Sequence, residues 1–212
     1  MRADVGEPRH TAPAASPIEG GLRPLDVDAA AAAALAGAVA ARDRRRAIAL
    51  ADELYGAALY RFVRGLVGRD DLADDVYQTT LAEAYRDLGE LADPAAVRAW
   101  LYAIARHRAL DALKAARRRD ARFAPAAELP ELADPAAGTD QRLSDAELVA
   151  ALSACLDRLA PELRMVLMLR FTDGFAYDDI ARICRARPDA VRARVCRALP
   201  VLRRCIEQRG EL

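Results

Sequence analysis

The stretch YDDIARICRARPDAVRARVCRAL, residues 177–199, contains two short helical patterns separated by a few residues. Ala181 is small enough to let two helices approach each other, and Val191, ten residues later, fills the space between them. The two patterns therefore predict a helix-turn-helix with helices over about 177–184 and 189–199. Further apolar residues complete its buried face: Ile180, Ile183, Val195 and Ala198.

The second helix of this motif carries arginines on the face opposite its apolar residues. If that helix enters a DNA major groove, these arginines can reach phosphates or guanine edges. Arg185 stands in the turn where glycine normally adopts the left-handed conformation, at a cost of about 1 kcal/mol, so the turn is expected to be distorted or longer. Pro200 removes a backbone donor and is expected to kink or end the helix. The candidate DNA-binding residues here are Arg187, Arg192, Arg194 and Arg197.

Two more helices are predicted before the motif. Ser144 and Glu147 have the spacing of a capping box, which places a helix start near Ser144 and its end near Leu159. Pro161 is tolerated in the first turn of a following helix, which Gly174 terminates. A second helical unit is therefore expected over residues 144–209.

The N-terminal half repeats this helical character. Apolar residues recur at steps of three and four from Arg44 to Leu66, from Asp71 to Leu88 and from Ala95 to Arg119, which predicts a first helical unit over residues 44–121. Prolines and acids favour an extended linker over 122–143. Prolines and glycines favour a tail over 1–43, in which the alanine run is compatible with a fraying helix. The expected fold is all-α, with two small helical domains joined by a flexible linker.

Charge is segregated along the chain although the net charge is zero. Residues 70–93 carry −7, residues 98–123 carry +6, residues 124–148 carry −5 and residues 182–209 carry +7. Two basic patches separated by acidic ones indicate more than one kind of partner, and basic helices with one apolar face favour phosphate contact over simple solvation.

Several classes of protein are disfavoured by composition. Only two histidines occur, neither in a metal-ligand or nucleophile-activating spacing, and no glycine-rich phosphate loop is present, so we expect no enzyme, no cofactor and no metal site. The longest apolar run, residues 29–41, is too short and too rich in alanine for a membrane span. We expect a cytoplasmic protein without membrane insertion, and four reduced, buried cysteines: Cys155, Cys184, Cys196 and Cys205.

Two sets of motifs resemble the extracytoplasmic-function (ECF) sigma factors of bacteria, in the sigma-70 family. The first set is Leu59–Phe62, Leu72–Leu81 and Arg98–Arg106 with Asp111, which resembles their promoter-melting domain. The second resembles their second domain and comprises Leu159–Glu162, Val166–Phe171, Asp173–Ala181 and Val191–Arg194. The resemblance covers about three quarters of the chain.

This resemblance implies a promoter-specific initiation subunit of RNA polymerase. It implies that core polymerase docks on the acidic face of the second helix, at Asp71, Asp74, Asp75 and Gln78, where the concentration of acids independently favours a protein partner. It also implies that the 89–96 loop captures melted minus-ten bases. The arginine-rich helix after that loop would provide the basic groove that single-strand binding needs, with Arg98, Arg106, Arg108, Lys114, Arg117 and Arg118 as candidates.

The second domain would by the same analogy read the minus-thirty-five element as duplex, and an anti-sigma factor would be a further partner. Thr79, Ala176 and Arg185 depart from the usual family pattern, which affects promoter choice more than class. Two alternatives remain from the residues themselves. An autonomous helix-turn-helix regulator would bind duplex tightly without polymerase, and a helical protein-interaction scaffold would bind DNA weakly and without sequence preference.

Overall fold

The structure, a computed structural model, describes residues 28–123 and 145–208. All regular elements within these ranges are helical, so the prediction of an all-α chain is confirmed. The predicted Ser144 cap and residues 124–143 of the predicted linker lie outside the described residues, as do residues 1–27. The helices are α1 (Ala29–Ala40), α2 (Arg44–Val67), α3 (Asp70–Asp87), α4 (Val97–Phe123), α5 (Asp145–Asp157), α6 (Pro161–Leu167), α7 (Tyr177–Cys184) and α8 (Pro188–Glu207).

Helix α1 lies in the range that the sequence assigned to a tail, and its alanine run is a packed helix instead of a fraying one. Asp28 caps the helix by accepting a hydrogen bond from the backbone N–H of Ala30 at 3.1 Å. Leu35 and Val39 are at most 4% exposed and pack in the core with Ala38. The alanine run is therefore a helix whose few larger side chains share one buried face, and it packs against α2.

Helices α1 to α4 form the first unit, in which α2 packs against α3 and α4. Its core contains Phe62 and Tyr102, with ring centroids 5.0 Å apart. The Tyr77 hydroxyl donates to the Asp52 carboxylate directly over Gly56, where a Cβ atom would approach both groups within 2.6 Å. Glycine at this position therefore permits the contact between α2 and α3. Two 3-10 turns, Leu88–Glu90 and Pro94–Ala96, connect α3 to α4.

Helices α5 to α8 form the second unit, and α7 and α8 form the predicted helix-turn-helix. The predicted buried set is at most 5% exposed throughout. Arg185 adopts the left-handed conformation at φ 50°, and the Ala186 N–H donates to the Ala181 carbonyl at 2.9 Å. The turn is therefore short despite the absence of glycine. Helix α6 continues into a π-helical turn, Met168–Thr172, before Gly174 at φ 72° reverses the chain.

The C-terminal part of this unit narrows one expectation and overturns another. Of the two outcomes expected for Pro200, an end of the helix is excluded, because α8 continues past the proline to Glu207. Cys155 and Cys205 form a disulfide between α5 and α8, with Cα atoms 5.9 Å apart, so these two cysteines are not free thiols. The packing of α5 on α8 and this covalent bond both hold the last turns of α8 after Pro200. Cys184 is a buried thiol and Cys196 an exposed one.

The two units contact each other along α4 and α7 and, less extensively, along α2 and α6. The Arg164 guanidinium donates to the Gly65 carbonyl at 3.1 Å, and the side chain of Met168 lies where a Cβ at Gly65 would be. None of the helices described is long and apolar enough to span a bilayer.

Candidate functional site

Four polar residues occupy one exposed face of α3, which we call the docking face: Asp71, Asp74, Asp75 and Gln78. The opposite face of the helix is buried in the first unit through Ala73, Val76, Thr80 and Ala84. The predicted polymerase-binding residues therefore form one continuous surface. Its geometry follows from the helical period, because steps of three and four keep side chains on one face.

The four residues of the docking face differ in whether their side chains already make hydrogen bonds or ion pairs within the described structure. Arg69 contacts Asp71 at 2.6 Å and holds the pKa of that carboxyl below its ordinary value. Asp74 accepts a hydrogen bond from the Tyr60 hydroxyl at 2.8 Å. Within residues 28–123 and 145–208 the Asp75 carboxylate has neither a hydrogen bond nor an ion pair, and the same holds for the Gln78 side chain. Asp75 and Gln78 are therefore the most available for a partner.

The candidate DNA-binding residues of α4 separate into three groups. Lys114, Arg117 and Arg118 are exposed towards the end of the helix. Arg108 makes an ion pair with Glu83 on α3, and this pairing holds the pKa of the Glu83 carboxyl below its ordinary value. Arg98 lies against the second unit through its contacts with Asp173 and Phe175. The single basic groove that the sequence predicted is therefore divided into an exposed part, in which Lys114 lies 3.8 Å from a carboxylate oxygen of Asp111, and an occupied part.

Arg98 belongs to a cluster at the junction of the units, the closure contact, which consists of Arg98, Tyr102, Asp173 and Phe175. The Arg98 guanidinium donates to the Asp173 carbonyl and lies 4.1 Å from the centroid of the Phe175 ring. The Tyr102 hydroxyl donates to Oδ1 of Asp173 at 2.9 Å, and its ring meets that of Phe175 edge to face at 4.8 Å. A residue predicted to bind DNA thus holds the two units together.

The carboxyl of Asp173 is the group in the closure contact whose burial is most unfavourable when it is charged. Asp173 is 3% exposed, and its Oδ2 atom has no hydrogen-bond partner. Burial raises the pKa of Asp173 to about 6, although the hydrogen bond from Tyr102 and the positive charges of Arg98 and Arg61 act in the opposite direction. Burial also raises the pKa of Tyr102. The closure contact therefore contains a carboxylate that is costly to keep charged.

Arg106 is engaged on the same side of α4. Its guanidinium lies close enough to the Cys184 thiol on α7 that its positive charge opposes the rise in pKa that burial causes there, and its Nε atom is buried without a hydrogen-bond partner in the described structure. Arg98 and Arg106 both lie against the second unit, as their spacing of two helical turns predicts for one face.

The arginines of α8 remain on the outer side of the helix-turn-helix. Arg192 and Arg197 are exposed and Arg194 is half-buried. The Arg192 guanidinium lies 5.3 Å from the centroid of the Tyr177 ring, which positions it at the start of the groove-facing surface. Arg187 is exposed at the residue preceding the helix. These side chains occupy the surface expected for a recognition helix.

The closure contact was not predicted from the amino-acid sequence. Tyr102 reads as one more apolar residue of α4, and Asp173 and Phe175 flank the glycine that ends the preceding helical segment. An acid followed by glycine and an aromatic residue between two helices was the available signal, but its partner is 71 residues away. Among the described residues, no group of histidine, cysteine or acidic side chains has a metal-binding arrangement.

Comparison with known proteins connects both units to one family. Residues 52–119 match the model described as sigma-70 region 2, and residues 150–199 match the model described as sigma-70, region 4. The first match contains the docking face and α4, and the second contains the helix-turn-helix.

Among curated proteins, the chain is 32% identical over 142 residues to the RNA polymerase sigma-H factor of Pseudomonas aeruginosa, covering 64% of this chain and 73% of that protein. It is 31% identical over 170 residues to the ECF RNA polymerase sigma factor SigL of Mycobacterium tuberculosis, covering 76% of this chain and 89% of SigL.

A solved structure with a similar fold is the sigma factor RpoE in complex with the anti-sigma factor NepR from Bartonella quintana. Its TM-score is 0.59 at 24% identity, covering 74% of this chain and 94% of that one. CnrH in complex with the cytosolic domain of CnrY has the same TM-score and identity, covering 84% and 97%. With two family models in the expected order and relatives matched over most of their length, the chain belongs to the ECF sigma factors of the sigma-70 family.

Proposed function

We propose that this chain binds core RNA polymerase through the docking face and then places promoter DNA on the arginines of α4 and α8. The chain acts as an initiation subunit in the compartment that holds the polymerase and performs no catalysis itself. The observation that carries the proposal is the docking face. There the side chains of Asp75 and Gln78 have no partner among the described residues, and they lie on the same unit as the basic helix α4.

The docking face suits a protein partner of opposite charge. Its acids are exposed and are held on a rigid helix, so binding requires little ordering of side chains on this side of the interface. A basic partner surface would gain association rate and orientation from such a patch. Asp75 has the greatest part in this proposal because no neighbouring cation competes for it in the described structure.

The helices α4 and α8 have different DNA targets. Exposed Arg117, Arg118 and Lys114, towards the end of α4 remote from the 89–96 loop, fit the phosphates of a melted strand, because sequence-tolerant binding of single strands relies on a basic groove. Arg192, Arg194 and Arg197 project from the second helix of the helix-turn-helix, which is the element that enters a duplex major groove. We assign the minus-ten and minus-thirty-five elements to these two surfaces respectively.

The closure contact must open before α4 can use its full basic surface. Arg98 and Arg106 are engaged with residues of the second unit in the described structure, so DNA and the closure contact compete for the same guanidinium groups. The docking face lies outside this contact. Polymerase can therefore bind the closed chain, whereas promoter capture requires the units to separate.

An anti-sigma factor is a further partner in this proposal. The solved relatives RpoE and CnrH are complexed with an anti-sigma factor and with the cytosolic domain of CnrY, respectively. A protein that covers the docking face of the closed chain would block polymerase binding without touching any DNA-binding arginine.

Co-purification with core polymerase tests the proposed docking face. Asp75→Lys combined with Gln78→Lys places two cations on the surface that should meet a basic partner, and we expect it to abolish association on a sizing column. Both side chains are exposed, so far-UV circular dichroism and the melting midpoint should not change.

Glu53→Lys is the matched control, because Glu53 is an exposed acid on α2 outside the docking face. It should retain the polymerase. Retention of polymerase by the double variant would refute the docking face and, with it, the proposed function.

A further inference from the structure

The corner between α1 and α2 is strongly basic and concave. The exposed arginines Arg42, Arg44 and Arg45, with Asp43 between them, line a cleft of about 430 Å³ that Tyr85 and Gly89 close from the other side, so its lining residues carry a net charge of +2. The match to sigma-70 region 2 begins only at residue 52, so the arginines of this corner lie outside it. The DNA-binding surfaces proposed above do not include the cleft.

The charges of this corner are not neutralised internally. Within the described ranges 28–123 and 145–208, none of its three arginines makes an ion pair. Asp43, the acid between them, is engaged in capping α2, since its Oδ1 accepts the Arg46 N–H at 3.1 Å. Three guanidinium groups in one cleft therefore present positive potential to the solvent, which favours a ligand with several negative charges.

Tyr85 adds an aromatic surface to the same cleft. It is 47% exposed, and it is one of only three large hydrophobic residues with an exposed side chain among the described residues. An exposed ring beside several guanidinium groups is the combination that binds single-stranded nucleic acid, because bases stack on the ring and phosphates meet the cations. A duplex hides its base faces, so stacking on Tyr85 favours an unpaired strand.

Arg42 occupies a backbone conformation that disfavours its side chain. Its φ is 55°, in the left-handed region that glycine adopts freely. A glycine here would relieve the strain and remove the cation from the cleft. Replacement of Arg42 by glycine therefore separates a structural role from a binding role, since the two predict opposite effects.

The cleft is also in the right place to receive a melted strand. The Arg44 Nη2 atom lies 3.7 Å from the position that a Cβ atom at Gly89 would occupy, and Gly89 begins the 89–96 loop. Helix α1 packs against the Pro94–Ala96 turn of the same loop. A strand leaving this loop would meet the arginines of the corner within a few ångströms.

We propose that the corner formed by Arg42, Arg44, Arg45 and Tyr85 binds single-stranded DNA adjacent to the bases held by the 89–96 loop. The guanidinium groups contact phosphates, and the Tyr85 ring stacks on a base. This inference rests on the proposed function for the identity of the strand. The corner is accessible in the closed chain, so its DNA binding is measurable without polymerase and without opening the closure contact.

Fluorescence anisotropy with a labelled 15-nucleotide oligothymidylate and the full chain tests the site. The variant Arg42→Gly/Arg44→Ala/Arg45→Ala should bind more weakly at low salt. Its slope of log affinity against log salt should fall by about 2, at about 0.7 for each lost phosphate contact. Tyr85→Ala should lose about fivefold or more in affinity, whereas Tyr85→Phe should bind like the parent.

Arg42→Gly alone should raise the melting midpoint while lowering the affinity for oligothymidylate. Arg158→Ala, which removes an exposed arginine far along the chain in the second unit, is the matched control and should change neither. The inference is overturned if the triple variant and Tyr85→Ala both bind like Arg158→Ala, or if the parent itself shows no salt-dependent binding.

A duplex of the same length and sequence separates single-strand binding from general attraction to phosphate. Equal losses of affinity for duplex and for single strand in Tyr85→Ala would overturn the assignment to an unpaired strand.

Polymerase retention separates this inference from the proposed function. If the triple variant keeps polymerase but binds oligothymidylate like the control, only the inference fails, whereas retention of polymerase by Asp75→Lys/Gln78→Lys refutes the proposed function.

Discussion

The acidic face of α3 and the basic face of α4 belong to one helical unit, yet they differ in how much of each is available. On α3, Asp75 and Gln78 are exposed and have no partner among the described residues. On α4, Arg98 is held by the segment just before α7, and Arg106 lies beside α7 itself, so both are occupied. The surface proposed for polymerase is ready for binding, and part of the surface proposed for DNA is not.

This difference implies an order of events. A partner that binds the docking face pays no cost for separating the units, whereas DNA must replace the contacts of Arg98 with Asp173 and Phe175. The apparent affinity for DNA is therefore reduced by the fraction of molecules that are open. Any change that weakens the closure contact should increase DNA binding and leave polymerase binding unchanged.

Truncation of Phe175 should have the largest effect on this comparison. Phe175 is 4% exposed and contacts both Arg98 and Tyr102, so Phe175→Ala removes an aromatic side chain from the closed state at a cost of about 3–5 kcal/mol. We expect a larger radius of gyration by small-angle scattering and tighter binding of oligothymidylate.

Val191→Ala is the control for a general loss of stability in the second unit, because Val191 is buried inside the helix-turn-helix. It should lower the melting midpoint without changing the scattering. Phe175→Leu, which retains most of the volume, should give an intermediate effect if the full truncation fails to fold. Unchanged dimensions and DNA affinity in both Phe175 variants would show that this ring does not hold the units together.

Neutralising Asp173 should have the opposite effect. Its pKa is raised to about 6, so between its ordinary value of 3.8 and about 6 the folded chain binds more protons than the unfolded chain. Stability therefore falls as the pH rises through this window and is lowest above it. Asp173→Asn can still accept the Tyr102 hydrogen bond, and we expect it to stabilise the closed chain by about 3 kcal/mol at pH 7.5.

Urea unfolding at about pH 4, 5 and 7.5 measures this effect. The gain from Asp173→Asn should be largest at pH 7.5 and should disappear near pH 4, where the parent carboxyl is already protonated. Asp189→Asn, which changes an exposed acid on α8, should show no such gain. A gain that did not depend on pH would mean that Asp173 carries no charge penalty in the closed state.

The contrast between α3 and α4 also shows which features of the structure can be predicted from the periodic spacing of residues in the sequence. The buried residues of the helix-turn-helix were predictable because Ala181, Val191 and Val195 are related by local helical geometry. The docking face was predictable for the same reason. The expectation of a distorted or longer turn was wrong, because Arg185 adopts the left-handed conformation that a glycine would have at this position.

The parts that were not predictable depend on long-range contacts. Tyr102 and Asp173 are 71 residues apart, and Cys155 and Cys205 are 50 residues apart. Neither pair shares a local pattern, so periodicity could not connect them. The packing of α1 was missed for another reason, since a run of alanines has almost no amphipathic pattern until Leu35 and Val39 are placed on one face.

Arg194 allows the DNA-binding surface of α8 to be compared with that of α4. Because α8 carries its arginines on the outside of the helix-turn-helix, Arg194→Ala should weaken duplex binding in the free chain as well as in the polymerase complex. The expected loss is about 1–3 kcal/mol if Arg194 reads a base, with a smaller salt slope instead if it contacts a phosphate. Electrophoretic mobility shifts on a promoter duplex identified by run-off transcription measure the effect.

Arg98→Ala is the companion variant, and it should leave binding to the minus-thirty-five duplex unchanged. If Arg194→Ala changed neither affinity nor salt slope, the duplex-binding surface would lie elsewhere on the second unit. If Arg98→Ala weakened duplex binding as much as Arg194→Ala did, the two helices would not have separate DNA targets.

The smallest effect concerns Arg108, the member of the α4 set that pairs within its own unit. The ion pair with Glu83 is only partly exposed, and Arg108→Gln should lower the free energy of unfolding by about 1 kcal/mol at neutral pH. Because the pair lowers the pKa of Glu83, its contribution is present above the ordinary pKa of that carboxyl and is lost as the pH falls through the lowered value. Urea unfolding at neutral and acidic pH measures this difference.

Arg117 lies on the exposed end of the same helix. Arg117→Gln should reduce the affinity for oligothymidylate and leave the free energy of unfolding unchanged. If Arg108→Gln reduced DNA affinity as much as Arg117→Gln and left unfolding unchanged, Arg108 would belong to the DNA surface as the sequence predicted. The two arginines have the same charge and lie on one helix, so a difference between them would come from the carboxylate of Glu83 that only Arg108 contacts.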